Sequence, residues 1–261
     1  MSSLPLPKKS LGQHWLYDQT SLEAMCAAAG VQATDTTVEI GPGLGTLTKL
    51  LTDKAEQVIA VEIDAKLAAD LPGRVPADNL SIKQADIMSF DFTQLPKDYK
   101  VVANIPYYLT SHLIRTISET PNQPLAAVLL VQKEVAARVA AQPGDMSLLS
   151  VTAQFYWQVS LGLEVPARLF TPPPKVDSQI LILQRRPKPH FTDVEPKEFF
   201  RLVKAGFSQR RKTLLNSLSA GLSHSRDETE SICERASIDS KRRPQTLSLD
   251  EWHQLYQALH T

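Results

Sequence analysis

An amide, a proline and a tyrosine stand together in the stretch NIPYYLT, as Asn104, Pro106 and Tyr107. The apolar run YKVVA before it predicts a buried strand, after which a plain turn would need only Gly or Asp. The Asn104 side-chain oxygen and the carbonyl of Ile105 or Pro106 can accept the two N–H groups of an adenine amine. Pro106 fixes the backbone that aims the carbonyl, and Tyr107 offers a ring face to the base. This pattern favours methyl transfer to the amine, because it points the nitrogen lone pair at the donor.

A second aromatic platform is predicted at Phe170, in RLFTPPPKVDS, where three prolines favour a rigid loop. Extracting a base costs a few kcal/mol, and one aromatic stack returns about 1–3 kcal/mol. Stacking on Tyr107 alone therefore only about offsets the free-energy cost of extracting the base, so a second ring would help. Because the methyl donor carries a positive charge, positioning supplies most of the remaining rate and no general base is expected. The alternative interpretation of NIPYY is a turn with two aromatic core residues.

Three glycines alternate in VEIGPGLGTLT, where a predicted strand meets a predicted helix: Gly41, Gly43 and Gly45. A backbone without Cβ atoms turns tightly and approaches a ligand closely, and the helix start offers free N–H groups. The dinucleotide fingerprint G-x-G-x-x-G would need a glycine at the position of Thr46. This departure favours a ligand without a pyrophosphate, and we predict that Gly41 and Gly43 bind S-adenosylmethionine. A plain strand-to-helix turn is the alternative.

Two acids end successive predicted strands, Glu62 after QVIAV and Asp86 after LSIKQA. An acid at the position of Glu62 accepts the ribose hydroxyls of a nucleoside, and Asp86 can accept a hydrogen bond from an adenine amino group. Glu39 either supports the glycine loop or faces the amine of the methionine. Each acid alone could be a solvated loop residue. Two of them after a glycine loop favour cofactor binding.

Strand and helix patterns alternate along the first 156 residues with short connections. This order predicts an α/β fold, a Rossmann-like methyltransferase sheet covered by helices on both faces. The strand patterns at 157–165 and 176–185 have no helix between them and predict an antiparallel hairpin at the edge. The composition then shifts to proline and charge, and only helical spacing follows. We expect a catalytic, cofactor-binding domain at 1–186 and a small all-α RNA-binding domain at 187–261.

The composition excludes several classes of protein. Apolar residues make up 43% of the 261 residues, which is enough for a sizeable core. No run of about 18 apolar residues predicts a membrane span, and the first residues lack the apolar segment of a secretory signal. Cys26 and Cys233 are predicted to be free thiols, so we expect a cytoplasmic protein. The six His and two Cys residues show no metal-ligand spacing, so we predict no metal site.

Charge is distributed unevenly along the chain. Residues 1–183 hold 14 basic and 18 acidic residues, whereas 184–261 hold 14 basic and 10 acidic residues. The basic tail suggests an anionic partner, and we predict RNA phosphate contacts at Arg210, Arg211 and Lys212. Further candidates are Lys8, Lys9, Arg185, Arg186, Lys188, Lys241, Arg242 and Arg243. The alternative for any one run is a solvated surface.

Together these motifs resemble the ribosomal RNA adenine N6,N6-dimethyltransferases that modify the small ribosomal subunit, over nearly the whole chain. The similar stretches are KKSLGQHWL, VEIGPGLGTLT, VIAVEID, QADI, NIPYY, FTPPPKVDS, GFSQRRKTLLNSL and RPQTLS. The resemblance implies that residues from several segments contact the cofactor: His14, Leu16, Gly41, Glu62, Asp86 and Asn104. It implies that four residues handle the base: Asn104, Pro106, Tyr107 and Phe170.

The implied substrate is a pair of neighbouring adenines in a hairpin near the 3′ end of the small-subunit RNA, each of which receives two methyl groups. The implied partners are the small ribosomal subunit and its rRNA, in subunit biogenesis, and we expect a monomer.

Two alternatives stay open. A large-subunit rRNA methylase that confers antibiotic resistance has the same sheet and a similar catalytic motif, although SQRRKTL favours the small subunit. A ribosome-assembly or transcription factor could keep the fold without the reaction, although the intact Asn104, Pro106 and Tyr107 argue against that loss.

Overall fold

The computed structural model describes residues 5–8, 11–188, 190–209 and 211–261. Contacts divide the chain into a sheet unit and a helical unit. The sheet unit comprises Met1–Ala136 and Gln158–Arg185, and the helical unit comprises Ala137–Trp157 and Arg186–Thr261.

The strands in chain order are β1 (Trp15–Leu16), β2 (Thr36–Ile40), β3 (Gln57–Glu62), β4 (Leu80–Gln84), β5 (Lys100–Asn104), β6 (Ala126–Gln132), β7 (Trp157–Val165), β8 (Phe170–Thr171) and β9 (Ser178–Arg185). The helices are α1 (Gln19–Ala28), α2 (Thr46–Thr52), α3 (Ala65–Arg74), α4 (Thr110–Glu119), α5 (Lys133–Val139), α6 (Leu148–Tyr156), α7 (Pro196–Phe207), α8 (Leu214–Leu222), α9 (Arg226–Arg235) and α10 (Leu249–His260).

Seven of these strands form one mixed sheet in the order β4-β3-β2-β5-β6-β9-β7. The neighbouring strands from β4 to β6 pair in parallel, whereas β9 is antiparallel to β6. The predicted Rossmann-like α/β fold is confirmed. The chain order reverses between β2 and β5, and at such a switch point the carboxyl ends of parallel strands leave a crevice for a ligand.

The central strands carry the apolar runs that fill the core of the sheet unit. β6 is buried along nearly its whole length, as expected for a strand covered on both faces. Helix α1 and the strands β5 and β6 contribute to one cluster through Met25, Val102 and Val128. The sheet edge that carries the polar motif residues therefore rests on a closely packed base.

A second, two-stranded sheet was not predicted from the sequence. In it β1 pairs with β8 in antiparallel register, with Leu16 opposite Phe170 and Trp15 opposite Thr171. Two-residue strands carry almost no periodicity, so this long-range pairing leaves no pattern in the sequence. It joins the N-terminal segment to the proline loop that follows Phe170.

The helical unit has its own core, with Phe199, Leu218 and Trp252 fully buried in it. Helix α6 belongs to this unit rather than to the predicted 1–186 domain, because Val151 and Phe155 pack into the same cluster. In the described part of the chain, no helix has both the length and the apolarity needed to cross a membrane.

Candidate active site

A cavity of about 190 Å³ lies at the carboxyl ends of β2, β3 and β5 in the sheet unit. Nearly all predicted cofactor and base residues line it: His14, Leu16, Gly41, Glu62, Asp86, Asn104, Pro106, Tyr107 and Phe170. The parallel register explains this convergence, because β2 lies between β3 and β5 and all three end at the same edge. The roles of these residues stay predictions, but the structure brings them to one place.

Gly41 and Gly43 of the glycine loop have different surroundings. Gly41 and Gly43 both have positive φ angles, of 67° and 57°, which glycine adopts without strain. A Cβ atom at Gly41 would meet no atom within 4 Å, whereas one at Gly43 would lie 2.7 Å from the Trp15 ring. Gly43 is not among the residues that line the cavity, and its backbone lies close to the Trp15 ring. Its predicted contact with the cofactor stays a prediction.

Glu62 is held in place before any ligand arrives. Its Oε2 accepts a hydrogen bond from the Gly43 N–H at 3.2 Å, and its Oε1 accepts one from the Asp64 N–H at 2.9 Å. Only 3% of the residue is exposed, and burial raises the pKa of its carboxyl. Because each carboxylate oxygen can accept two hydrogen bonds, Glu62 retains capacity for ribose hydroxyls.

Glu39 is a buried acid with an unsatisfied oxygen. It is 2% exposed, and its Oε2 has no hydrogen-bond partner among the described residues. Burial raises the pKa of Glu39 to about 8, and the neighbouring Glu62 adds to the shift. A buried polar atom without a partner is costly. Its place in the cavity lining makes it an acceptor for a ligand cation such as an ammonium group.

Asp86 lies at the exposed side of the cavity. Its Oδ1 accepts a hydrogen bond from the Met88 N–H at 2.9 Å and so caps a short 3₁₀ turn at Ile87–Ser89. Asp86 is therefore both a capping residue and part of the cavity lining. The cap uses one oxygen, and the carboxylate has further acceptor capacity toward the cavity.

The hydrogen-bond acceptors of the NIPYY turn differ in whether they already have a partner within the protein. The Asn104 amide nitrogen donates a hydrogen bond to the His14 carbonyl at 3.3 Å. The Pro106 carbonyl already accepts one from the Leu109 N–H at 3.0 Å, which closes a 3₁₀ turn over Tyr107–Leu109. Of the two carbonyls that the sequence left open, Ile105 is therefore the better second acceptor for a substrate amine.

Tyr107 is fixed by partners on two sides. Its hydroxyl lies 2.8 Å from the Ser178 Oγ, and its ring stacks on the His14 ring with centroids 6.0 Å apart. His14 Nδ1 donates to the Pro172 carbonyl at 2.7 Å. Burial raises the pKa of the Tyr107 hydroxyl. Tyr107 thus joins the NIPYY turn to β9 and to the N-terminal segment, and His14 joins that segment to the proline loop.

The N-terminal segment closes the cavity along one side. The Thr46 hydroxyl donates to the Leu16 carbonyl at 2.9 Å, and Leu16 pairs with Phe170 across the small sheet. Phe170 is only 3% exposed. Phe170 also lines the cavity, so its predicted stacking role concerns a base inside the cavity.

Lys8 was a candidate phosphate contact, but its Nζ lies 2.7 Å from the Asp64 carboxylate. Burial acts to raise the pKa of Asp64, but hydrogen bonds from Lys8 and from the Lys66 and Leu67 N–H groups outweigh it, and the pKa is lowered. Asp64 also caps α3. In this structure Lys8 therefore fastens the N-terminal segment to the end of β3. Lys9 lies outside the described residues.

In the helical unit, some of the basic residues predicted to contact RNA are exposed, whereas Arg242 has a carboxylate partner. Arg211 and Lys212 are exposed in the loop between α7 and α8, while Arg210 lies outside the described residues. Arg242 is partnered by Glu251. The Leu214 N–H donates to the Arg242 carbonyl at 2.8 Å. This bond holds the basic loop beside the second basic run, where Lys241 and Arg243 are exposed.

Sequence reasoning missed Ser178 and Trp15. Ser178 is fully buried at the start of β9 and supports Tyr107, and Trp15 covers Gly43. A polar residue at the first position of an apolar strand pattern was the available signal for Ser178.

Arg185, another residue predicted as a possible RNA phosphate contact, pairs with Asp98 in the sheet unit.

Comparisons with known proteins agree on one family. The model of the family described as ribosomal RNA adenine dimethylase matches residues 6–260. A protein of Dehalococcoides mccartyi named ribosomal RNA small subunit methyltransferase A is 43% identical over 252 residues, covering 95% of this chain and 87% of its own. A protein of the same name from Clostridioides difficile is 38% identical over 262 residues, covering 97% and 91%.

Two solved structures are similar over nearly the whole chain. A dimethyladenosine transferase from Plasmodium falciparum matches with a TM-score of 0.80 and 26% identity, covering 93% of this chain and 96% of its own. The 23S rRNA methyltransferase ErmE matches with a TM-score of 0.76 and 27% identity, covering 95% and 100%.

Proposed function

We propose, from the premise that the chain belongs to the ribosomal RNA adenine dimethylase family, that it dimethylates N6 of two adjacent adenines in a hairpin near the 3′ end of small-subunit rRNA. The observation that carries the proposal is the juxtaposition of two loops across the switch point of the sheet. The glycine loop follows β2 and the NIPYY turn follows β5, and these strands are neighbours. A donor in one loop and an amine in the other would meet in the same cavity.

The cavity residues fit S-adenosylmethionine as the donor. Gly41 leaves open space where a side chain would stand, and Glu62 is preset by two backbone N–H groups. The unsatisfied Glu39 oxygen suits the ammonium group of the methionine portion. When bound, S-adenosylmethionine supplies a methyl group that the positive charge on sulfur already activates.

The chain's own residues then orient the amine. The Asn104 side-chain oxygen and the Ile105 carbonyl accept the two N–H groups, which favours a pyramidal nitrogen with its lone pair free. Tyr107, held by Ser178 and His14, supplies the ring on which the base stacks. As the nitrogen gains a methyl group it releases a proton, which leaves to water. Positioning of this kind accounts for large rate factors without a general base.

The second transfer differs in one respect. N6-methyladenine keeps one N–H, so only one of the two acceptors is used for the second methyl group. The cavity must therefore hold the base mainly by its ring during that step, which gives Tyr107 and Phe170 greater weight.

The small subunit is favoured over the large one as the substrate. ErmE shares the fold, but the relatives at 38–43% identity carry the small-subunit name.

We also propose that the exposed loop with Arg211 and Lys212, together with Arg210, binds RNA phosphates. A monomeric, cytoplasmic enzyme is part of this proposal, and sedimentation of the purified chain tests the monomer.

The test uses purified protein, labelled S-adenosylmethionine and unmethylated small subunits, with large subunits and free DNA as controls. We expect dimethyladenosine only on the small subunit. Label on the large subunit would favour the resistance methylase. Cofactor binding without turnover on any substrate would favour a non-catalytic assembly or transcription factor.

A further inference from the structure

Two exposed apolar side chains lie on the lining of the cavity. Tyr108 is 63% exposed and Ile63 is 51% exposed, and both line the cavity. Single exposed apolar residues are ordinary on a protein surface. Two of them at the mouth of one cavity, beside buried polar groups, indicate a surface that a ligand covers.

The two side chains belong to different sides of the site. Ile63 follows Glu62 and so adjoins the proposed cofactor position. Tyr108 belongs to the 3₁₀ turn Tyr107–Leu109, which continues directly from Asn104 and Pro106. The ring of Tyr108 is therefore on the substrate side.

Tyr107 and Tyr108 cannot share one base. Successive residues of a 3₁₀ turn point about 120° apart. Tyr107 is directed to Ser178 and His14, whereas Tyr108 faces solvent with one edge beside Gly12. Among the residues that the structure describes, no aromatic ring pairs with the Tyr108 ring. Its face is available for a group that arrives with the substrate.

A base that leaves its stack exposes one face of the base next to it. The proposed reaction takes an adenine out of the RNA and so creates such a face at the mouth of the cavity. We propose that Tyr108 stacks on the nucleobase directly adjacent to the target adenine and replaces the stacking partner that it has lost. The inference rests on the proposed function and adds a substrate-positioning residue to it, because each adenine of the adjacent pair has the other as its neighbour.

The test compares Tyr108→Phe, Tyr108→Leu and Tyr108→Ala with the wild type on an RNA substrate, with kcat and the KM for RNA and cofactor measured separately. We expect Tyr108→Phe to stay within about twofold, because the ring face is kept. We expect Tyr108→Ala to raise the KM for RNA by about 5- to 150-fold, the range of one lost base stack, and Tyr108→Leu to lie between them. Leu161→Ala, which removes an exposed apolar side chain of β7, is the matched control and should match the wild type.

A double-mutant cycle identifies the base. Substrates with an abasic site on the 5′ or the 3′ side of the target adenine are tested with the wild type and with Tyr108→Ala. If the ring stacks on that base, the abasic site weakens the wild type but adds little to the variant. Additive effects at both positions would overturn the inference, as would a raised KM for the cofactor alone or a Tyr108→Ala enzyme equal to the wild type. If the wild type itself forms no dimethyladenosine, the proposed function fails instead, so the two failures are distinguishable.

Discussion

The cavity of the sheet unit and the basic loop of the helical unit are both predicted to meet RNA, but they are built in opposite ways. In and behind the cavity, Glu39, Glu62 and Ser178 are buried. Glu62 and Ser178 are bonded to segments distant in the chain, through the Gly43 N–H and the Tyr107 hydroxyl. In the basic loop, Arg211 and Lys212 are exposed to solvent. Buried polar groups are individually costly to disturb, whereas exposed charges contribute little one at a time. The first region suits chemistry at a defined atom, and the second suits attraction of a whole polyanion.

The comparison predicts steep, single-residue effects in the cavity and shallow, cumulative effects in the loop. Four tests follow, and each would weaken the comparison if its effect had the size expected of the other region.

The largest effect is expected for Asn104→Ala. Loss of one preset hydrogen-bonding group at a reacting centre typically lowers kcat by about 100- to 1,000-fold, and single-turnover methylation of RNA measures it. Thermal unfolding checks that the variant is folded. Turnover within about threefold of the wild type would remove the amide from the mechanism and leave the Ile105 carbonyl as the sole acceptor.

The next effect is a pH dependence of stability that depends on Glu39. Its folded pKa of about 8 lies above the ordinary value of 4.5, so the folded state holds the proton more tightly than the unfolded state does. The free energy of unfolding should therefore fall as pH rises from about 4.5 to about 8, with a slope of at most about 1.4 kcal/mol per pH unit. Urea unfolding at several pH values measures it.

The matched variants for that measurement are Glu39→Gln and Glu23→Gln. Glu39→Gln should lose this part of the pH dependence, while the exposed Glu23→Gln should keep it. A saturating cofactor should also reduce it in the wild type, because a bound ammonium group favours the ionised carboxylate. Parallel pH curves for all three proteins would contradict the assignment of Glu39.

A smaller effect is expected for Ser178→Ala. The lost hydrogen bond is worth about 0.5–1.5 kcal/mol, so kcat should fall by up to about tenfold while the KM for the cofactor is unchanged. Tyr107→Phe removes the same bond from the other side. If the bond acts only by orienting the ring, the double variant should be no slower than either single one, and an additive result would assign Ser178 a separate role.

The smallest effect per residue is expected in the basic loop. Changing Arg210, Arg211 and Lys212 to Gln should weaken RNA binding and lower the slope of log affinity against log salt by about 0.7–0.9 per lost phosphate contact. Cofactor affinity should not change. The variant Lys197→Gln, Arg201→Gln and Lys204→Gln, at three exposed basic residues of α7, controls for net charge. An unchanged affinity and salt slope in the loop variant would refute its role.

Much of this architecture could be predicted from the sequence, and the reasons for the exceptions are physical. The alternation of β2 to β6 with helices has a strong local period, so both the sheet and the convergence of Gly41, Glu62 and Asn104 at its edge followed from it. The pairing of Leu16 with Phe170 and the bond from Tyr107 to Ser178 join distant segments. Local periodicity does not encode such contacts.

The charged runs show the same limit. Lys8, Arg185 and Arg242 look like Arg211 and Lys212 in the sequence, but the fold gives the first three carboxylate partners. The tertiary structure is needed to distinguish a basic residue with a carboxylate partner from one that is exposed to solvent. The unit to which α6 belongs was also not predictable from the sequence, because an apolar helix face can pack in either unit. In the structure Phe155 of α6 packs into the core of the helical unit.

The pairing of Leu16 with Phe170 has a consequence for synthesis of the chain on the ribosome. The two partners are about 150 residues apart, so at roughly 5–20 residues per second the N-terminal segment waits on the order of 10–30 s for its strand partner. During that interval Trp15 and Leu16 have no β8 to pair with, although the parallel strands β2 to β6 are all translated before β8. The part of the cavity wall that Leu16 and Phe170 contribute is therefore completed late in translation.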